Sequence, residues 1–341
     1  MRNFLNFVKL TIKIVNIAAS SHRVAVPIMT HPGIELTGRR VIDAVTDGKM
    51  HYEAIAALAQ RFPAAAATTV MDLTVEAEAF GAQIKMEPDE VASVTGILLP
   101  DAGAVAALKV PDLDAGRVGH YLLADRLCAE NIAKPVLAGM IGPFSLAGRL
   151  MGMTEIMMAI FTEPDTVEML LEKCTEFLMA YLKAIKATGV AGVIIAEPAA
   201  GLLSDADCRA NSSVYVRRMV DACQDDDFMV VLHNCGNTGH CTGAMLATGA
   251  AAIHVGNRVD MVAVLEEVPA KVVAMGNLDP VGVFKEMNPA GVYRTVSELL
   301  EKTAGFPDFI VSSGCDTPPG VPMANIEAFY KALNDFNDKR L

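Results

Sequence analysis

Eight short apolar runs, each followed by a stretch of different character, govern what this chain can fold into. They are His22–Met29, Ala64–Val70, Pro135–Met140, Gly192–Ala196, Phe228–Leu232, Ala251–Val255, Lys271–Met275 and Phe309–Ser313. Runs this short and continuous suit parallel strands buried on both faces. Helical apolar spacing falls between them, over Thr37–Thr46, Tyr52–Arg61, Asp72–Gly81, Gly119–Cys128, the stretch leading to Phe161, and Thr166–Thr188. A last helix, Asn325–Asn337, closes the chain. Strand and helix alternating eight times predict a (β/α)8 TIM barrel, with a doubly wound open sheet as the competing arrangement.

The length of 341 residues accommodates such a barrel with additions. Residues 1–20 read as an N-terminal lead-in and 21–341 as a single catalytic barrel domain. Residues 82–116, punctuated by Pro88, Pro100 and Pro111, read as an insertion or small subdomain over one end of the fold. A hydrophobic content of 52% and a mean hydropathy of +0.35 fit a sheet covered on both faces. No apolar stretch approaches the roughly 20 residues that span a bilayer, so no membrane partner is expected. Lys9 and Lys13 interrupt the lead-in's apolar run, which argues against a signal peptide. A net charge of −12 excludes bulk phosphate neutralisation and with it a nucleic-acid partner. Seven cysteines without framework spacing point to reduced thiols and a cytoplasmic protein.

A barrel puts its chemistry at the C-terminal ends of its strands. Glu197, His233, Cys235, Asn277, Cys315 and Asp316 all follow apolar runs directly. In extended chain, positions i and i+2 share a face, so His233 and Cys235 can meet one ion. Cys315 lies eighty positions further on, too far for a finger or ribbon but suited to a barrel that brings its fifth and eighth strands together. A neutral imidazole and two thiolates are typical zinc ligands, and three protein ligands leave the open position of a catalytic site. The competing interpretation is a buried histidine with two inert thiols. His240 and Cys241 are rival ligands, but they open a helix and are expected to face away. Glu197 reads either as a ligand, proton acceptor or hydrogen-bond anchor, or as a charge at a helix N-terminus. Asp72 and Glu76, four apart, read as a solvated acidic face as readily as a site.

At these residues the chain resembles the uroporphyrinogen decarboxylase superfamily. The resemblance is carried by Val231-Leu232-His233-Asn234-Cys235-Gly236-Asn237, Gly276-Asn277-Leu278-Asp279-Pro280 and Ser313-Gly314-Cys315-Asp316. Val75–Gly81 and Ala191–Ala200 also fit. More narrowly the chain is similar to the superfamily's zinc-dependent corrinoid methyltransferases. That resemblance implies Zn2+ held by His233, Cys235 and Cys315, with Glu197 and Asn277 as catalytic candidates. It implies methyl transfer between a corrinoid (methylcobamide), carried on a separate corrinoid protein, and a small thiol or methylated small molecule. The alternative is a porphyrinogen decarboxylase, whose arginine-rich substrate loop has no counterpart in Thr30–Leu36 and which leaves the His-x-Cys…Cys set unexplained. Related thiol-alkylating zinc enzymes carry a Glu where this chain has Gly256, so water, His254, Glu197 or substrate is expected in the fourth position.

Overall fold

The computed structural model describes residues 22–340, so the expected lead-in at 1–20 lies outside the described residues. In chain order the strands are β1 (Ala67–Thr68), β2 (Gln83–Lys85), β3 (Ser93–Thr95), β4 (Val136–Ile141), β5 (Gly192–Ala196), β6 (Met229–Asn234), β7 (Ala252–Val255), β8 (Val273–Leu278) and β9 (Phe309–Ser313). Seven of them form one curled, all-parallel sheet in the order β1-β4-β5-β6-β7-β8-β9. Strands β2 and β3 form a separate antiparallel pair. The fold is α/β and barrel-like, with helices covering the sheet.

The first expected strand shrinks to a single bridge between Ala25 and Val311. Val26 N–H donates to the Val311 carbonyl (3.1 Å) and Val311 N–H to that of Val24 (3.3 Å). On the other side, Ala65 N–H donates to the Ala25 carbonyl at 2.9 Å. Residues 24–26 thus link β9 to the segment entering β1, the two edges of the sheet. Pro27 has no N–H to continue the pairing, which is why the run stops short as a strand. The expected strand Ala64–Val70 reduces to two residues, although Ala67 and Thr69 still donate to the carbonyls of Pro135 and Leu137.

Period two along the strands separates two cores. Leu137, Ile194, Met229, Val231, Ala252, Val273, Met275 and Ile310 pack together inside the curl. Val136, Val193, Ile195, Val230, Ile253, Ala274 and Val311 join the larger core under the helices. Strands β4 to β9 are therefore buried on both faces, as their unbroken apolar sequences require, unlike the exposed β2–β3 pair.

Among the helices, Val41–Thr46 starts four residues later than its spacing suggested, because Gly38 turns the chain at a φ of +66°. The turn before it holds an unforeseen helix, His31–Leu36, with Pro32 in its first turn. The long helix runs Pro164–Ala187, and buries Cys174 as a core thiol. The segment 82–116 contains the β2–β3 pair and the helix Ala102–Ala107. Lys173, on the long helix, donates to the carbonyls of Val105, Ala106 and Leu108 and holds that helix's end. Among the described residues, no single helix is long and apolar enough to cross a membrane.

Candidate metal centre

The inner-face parity that buries Met229 and Val231 puts His233 on the same face, and the chain carries it on to Cys235. Cys315 follows β9 by two residues. One ring nitrogen of His233 and the sulfurs of Cys235 and Cys315 lie within 4.8 Å of one another. His233 is buried, whereas both cysteines are partly accessible, so the cluster opens toward solvent on its sulfur side. The Cys315 thiol donates to the Cys235 sulfur. This hydrogen bond is the main reason Cys235 is held below the usual thiol range, against the opposing effect of burial. Arg258 adds a smaller push the same way. Cys315, as donor and buried, is raised.

His233 reaches the cluster through a fixed orientation. Its Nδ1 lies 2.8 Å from Nδ1 of His254, its register partner on β7. His254 in turn places Nε2 2.9 Å from the Ser312 hydroxyl on β9. Burial, and then proximity to His233, hold His254 well below the usual imidazole range, so it is neutral. Both its nitrogens are engaged, which removes it from the candidates for a fourth ligand. His233 Nε2 is buried without a hydrogen-bond partner. An orphaned imidazole nitrogen facing two thiols fits a soft tetrahedral cation such as zinc. Zn–S bonds of ~2.3 Å set ligand atoms about 3.8 Å apart, so metal binding needs these side chains to close by about 1 Å or less.

Glycines let the ligand-bearing loops meet backbone to backbone. A Cβ at Gly256 would sit 2.8 Å from the Cys235 carbonyl oxygen and 2.9 Å from its Cα. One at Gly314 would sit 2.7 Å from the Asn257 amide nitrogen. The loop after β7 is thus wedged between the Cys235 and Cys315 loops, with no room for a side chain at position 256.

The other expected residues take supporting positions. Glu197 is buried, and its hydrogen bonds run to the start of the helix Pro143–Met151: Oε1 accepts from Phe144 N–H (2.8 Å), and Oε2 from Ser145 N–H (3.0 Å) and Oγ (2.7 Å). Burial raises its carboxyl to about 7 despite those donors. Among its expected roles, these hydrogen bonds display an anchor, placed at the N-terminus of the helix Pro143–Met151. Strand parity carried that signal, since Ile194 faces inward and Glu197, three residues on, faces the helices. Asn277, next to last in β8, lies on the inner side and donates from Nδ2 to the carbonyls of Gly256 (3.1 Å) and Val259 (2.9 Å), pinning the loop after β7. Asp316 accepts from Thr30 N–H and Oγ1 and lies 3.6 Å from His31 Nδ1. His240 bonds the Leu203 carbonyl, and Cys241 is buried against the same carbonyl, both outside the cluster as expected.

The solvated acidic face expected of Asp72 and Glu76 is not found. Both are buried. Arg117, from a remote helix entry, contacts Asp72 Oδ2 (2.5 Å) and Glu78 Oε2 (2.6 Å), while Glu76 Oε1 accepts from Ile141 N–H. Burial raises Glu76 to about 7. The expected helix over Asp72–Gly81 begins only at Val75, so Asp72 precedes it and the spacing does not put the two on one helix face.

Comparison with known proteins gives a coherent answer. The family model described as uroporphyrinogen decarboxylase (URO-D) matches residues 17–336. The chain is 33% identical over 270 residues to a methylcobamide:CoM methyltransferase MtbA of Methanosarcina mazei, covering 78% of each chain. It is 26% identical over 241 residues to a uroporphyrinogen decarboxylase of Sodalis glossinidius, covering 67% of each. Among solved structures, a methyltransferase from Methanosarcina mazei superposes with a TM-score of 0.86 at 22% identity, covering 95% of this chain and 98% of that one. A B12-independent methionine synthase from Shewanella sp. W3-18-1 shares the fold more distantly, at a TM-score of 0.57 and 13% identity.

Proposed function

Because this chain belongs to the uroporphyrinogen decarboxylase family, we propose that it is a zinc-dependent methyltransferase, moving a methyl group between a corrinoid and a small thiol or methylated molecule. The observation that carries the proposal is the orphaned His233 Nε2 facing Cys235 and Cys315, in a chain whose relative at 33% identity is named a methylcobamide:CoM methyltransferase. In this reading residues 21–341 work as one cytosolic (β/α)8 domain, with residues 24–26 standing in for the first strand. The corrinoid arrives on a separate protein.

His233 Nε2 and the Cys235 and Cys315 sulfurs would hold the zinc. Bound there, zinc supplies a Lewis acid that keeps a substrate thiol ionised yet nucleophilic, or polarises a leaving heteroatom. This chain's own part is orientation. Binding through Nε2 requires the His233 proton on Nδ1, donated to His254 Nδ1, with His254 Nε2–H donating to Ser312. The Cys235 and Cys315 thiols would each give up a proton to serve as ligands. Gly256 offers no side chain, so the fourth position falls to substrate or water. Glu197 and Asn277 act by positioning, the first fixing the ends of β4 and β5, the second the loop that separates the two cysteine loops.

The test is metal analysis followed by incubation with methylcobalamin and a panel of thiols, folates and methylated donors. About one zinc per chain, lost in Cys315→Ala, with a methyl group appearing on one acceptor, is the expected result. Wild-type protein without zinc, or Cys315→Ala with zinc retained, overturns the assignment. Metal-free protein that consumes a porphyrinogen instead establishes the decarboxylase reading.

A further inference from the structure

The segment that closes the barrel is held differently along its length. Near its start, Arg23 donates to the carbonyls of Thr303 (2.5 Å) and Phe309 (3.1 Å). Residues 24–26 then pair through backbone with Val311 and Ala65, until Pro27 ends the pairing. Beyond Pro27, residues 28–31 meet residues 313–317, the stretch that carries Cys315. Ser313 Oγ (2.9 Å) and Thr317 N–H (3.2 Å) donate to the Ile28 carbonyl, and His31 Nδ1–H donates to that of Thr317 (2.8 Å).

Thr30 adds the contact nearest the metal centre. Its N–H donates to Asp316 Oδ1 (3.1 Å) and its Oγ1 to Asp316 Oδ2 (2.7 Å). One residue thus engages both oxygens of one carboxyl, which leaves Asp316 a single orientation and fixes the backbone next to Cys315. Thr30 is fully buried, so neither bond is exposed to exchange with water from its side. On the opposite flank, Gly314 N–H donates to the Leu278 carbonyl at 2.6 Å. The Cys315 turn is therefore gripped by β8 on one side and by Thr30 on the other.

We propose that Thr30 and Asp316 form a clasp that fixes the Cys315 loop to the closing segment of the barrel, so that the two open and close together. A closing segment that makes few strand hydrogen bonds is where such a fold opens locally. Opening there carries Asp316 away with Thr30 and frees Cys315 from its place opposite His233 and Cys235. Thr30 and Asp316 are positioning residues in this scheme. They touch no reacting atom, and they act by holding a metal ligand ready.

The clasp does not rest on the metal reading; its effect on zinc does. In metal-free full-length protein, Thr30→Val keeps the side chain's shape but loses the hydroxyl. It should speed hydrogen exchange several-fold at amides 28–31 and 313–317 together. Thr30→Ser should exchange as wild type does. Asp316→Ala removes both bonds from a partly exposed position, and it decides the question if Thr30→Val does not fold. The double variant should exchange no faster than Asp316→Ala alone, because the two residues act through each other. Zinc affinity, from competition against a chelator, should fall about 10–100-fold in either single variant and return in Thr30→Ser. Faster exchange in only one of the two segments, fully additive effects, or no rescue by Thr30→Ser overturns the proposal. Undiminished zinc affinity in the folded variants overturns it as well. Wild type that binds no zinc defeats the metal reading alone, because the exchange results still decide this one.

Discussion

His233 and His254 stand opposite each other on β6 and β7, and their Nδ1 atoms lie 2.8 Å apart. The pair sits at the top of the inner core, one layer above Val231 and Ala252. Because His254 is also anchored to Ser312, the contact turns His233 Nε2 toward Cys235 and Cys315 rather than into the barrel. A metal ligand held this way loses little orientational freedom on binding.

Replacing His254 by alanine should therefore weaken zinc binding about 10–100-fold without touching a ligand. Competition against a chromophoric chelator measures the affinity, and circular dichroism checks that the barrel persists. Affinity equal to wild type in a folded variant would show that His254 does not support the metal centre.

Gly256 gives the second prediction. A methyl group there meets the Cys235 backbone at 2.8–2.9 Å, and backbone on both sides leaves little to yield. Gly256→Ala should cost about 1–3 kcal/mol of stability and displace Cys235. Gly256→Glu should lower zinc affinity rather than add a fourth ligand. A thermal melt and the same chelator competition test both, and tighter zinc in the Glu variant would refute the steric account.

Much of this was legible in the sequence, and the rest failed for identifiable reasons. Strands β4 to β9 stood out because burial on both faces demands unbroken apolar runs. The first strand was overestimated because its closing role needs only the hydrogen bonds of residues 24–26 before Pro27. The three metal-capable residues followed from strand ends, but the support of His254 could not be foreseen. Pairing His233 with His254 depends on the β6–β7 register, which parity alone does not give. Asp72 and Glu76 misled because the helix starts only at Val75 and each carboxylate finds a buried partner from a distant segment, Asp72 in Arg117 and Glu76 in the Ile141 amide. Arg117 lies beyond the β2–β3 segment, 45 residues from Asp72 in sequence.

Glu197 separates a positioning role from a chemical one. Its two oxygens accept three hydrogen bonds from Phe144 and Ser145, so Glu197→Ala should cost about 2–4 kcal/mol by leaving those donors buried and unpaired. Glu197→Gln keeps one acceptor oxygen and should retain turnover at permissive temperature with a lowered melting temperature. Abolished turnover with an unchanged melting temperature would instead make Glu197 a proton-transfer group.

Asp125 predicts the direction of pH dependence. It is fully buried, one of its oxygens lacks a partner, and burial raises its carboxyl from 3.8 to about 7 despite a hydrogen bond from Thr69. A raised folded-state value means that the fold prefers the protonated acid. Its stabilising contribution is complete below pH ~4 and is lost as the pH rises through ~7. Moving the carboxyl from 3.8 to about 7 corresponds to roughly 4 kcal/mol. Asp125→Asn cannot ionise, so its stability relative to wild type should climb between pH 5 and pH 8. Denaturant unfolding at both pH values measures this, and parallel pH profiles for the two proteins would mean that Asp125 is ionised in the fold throughout.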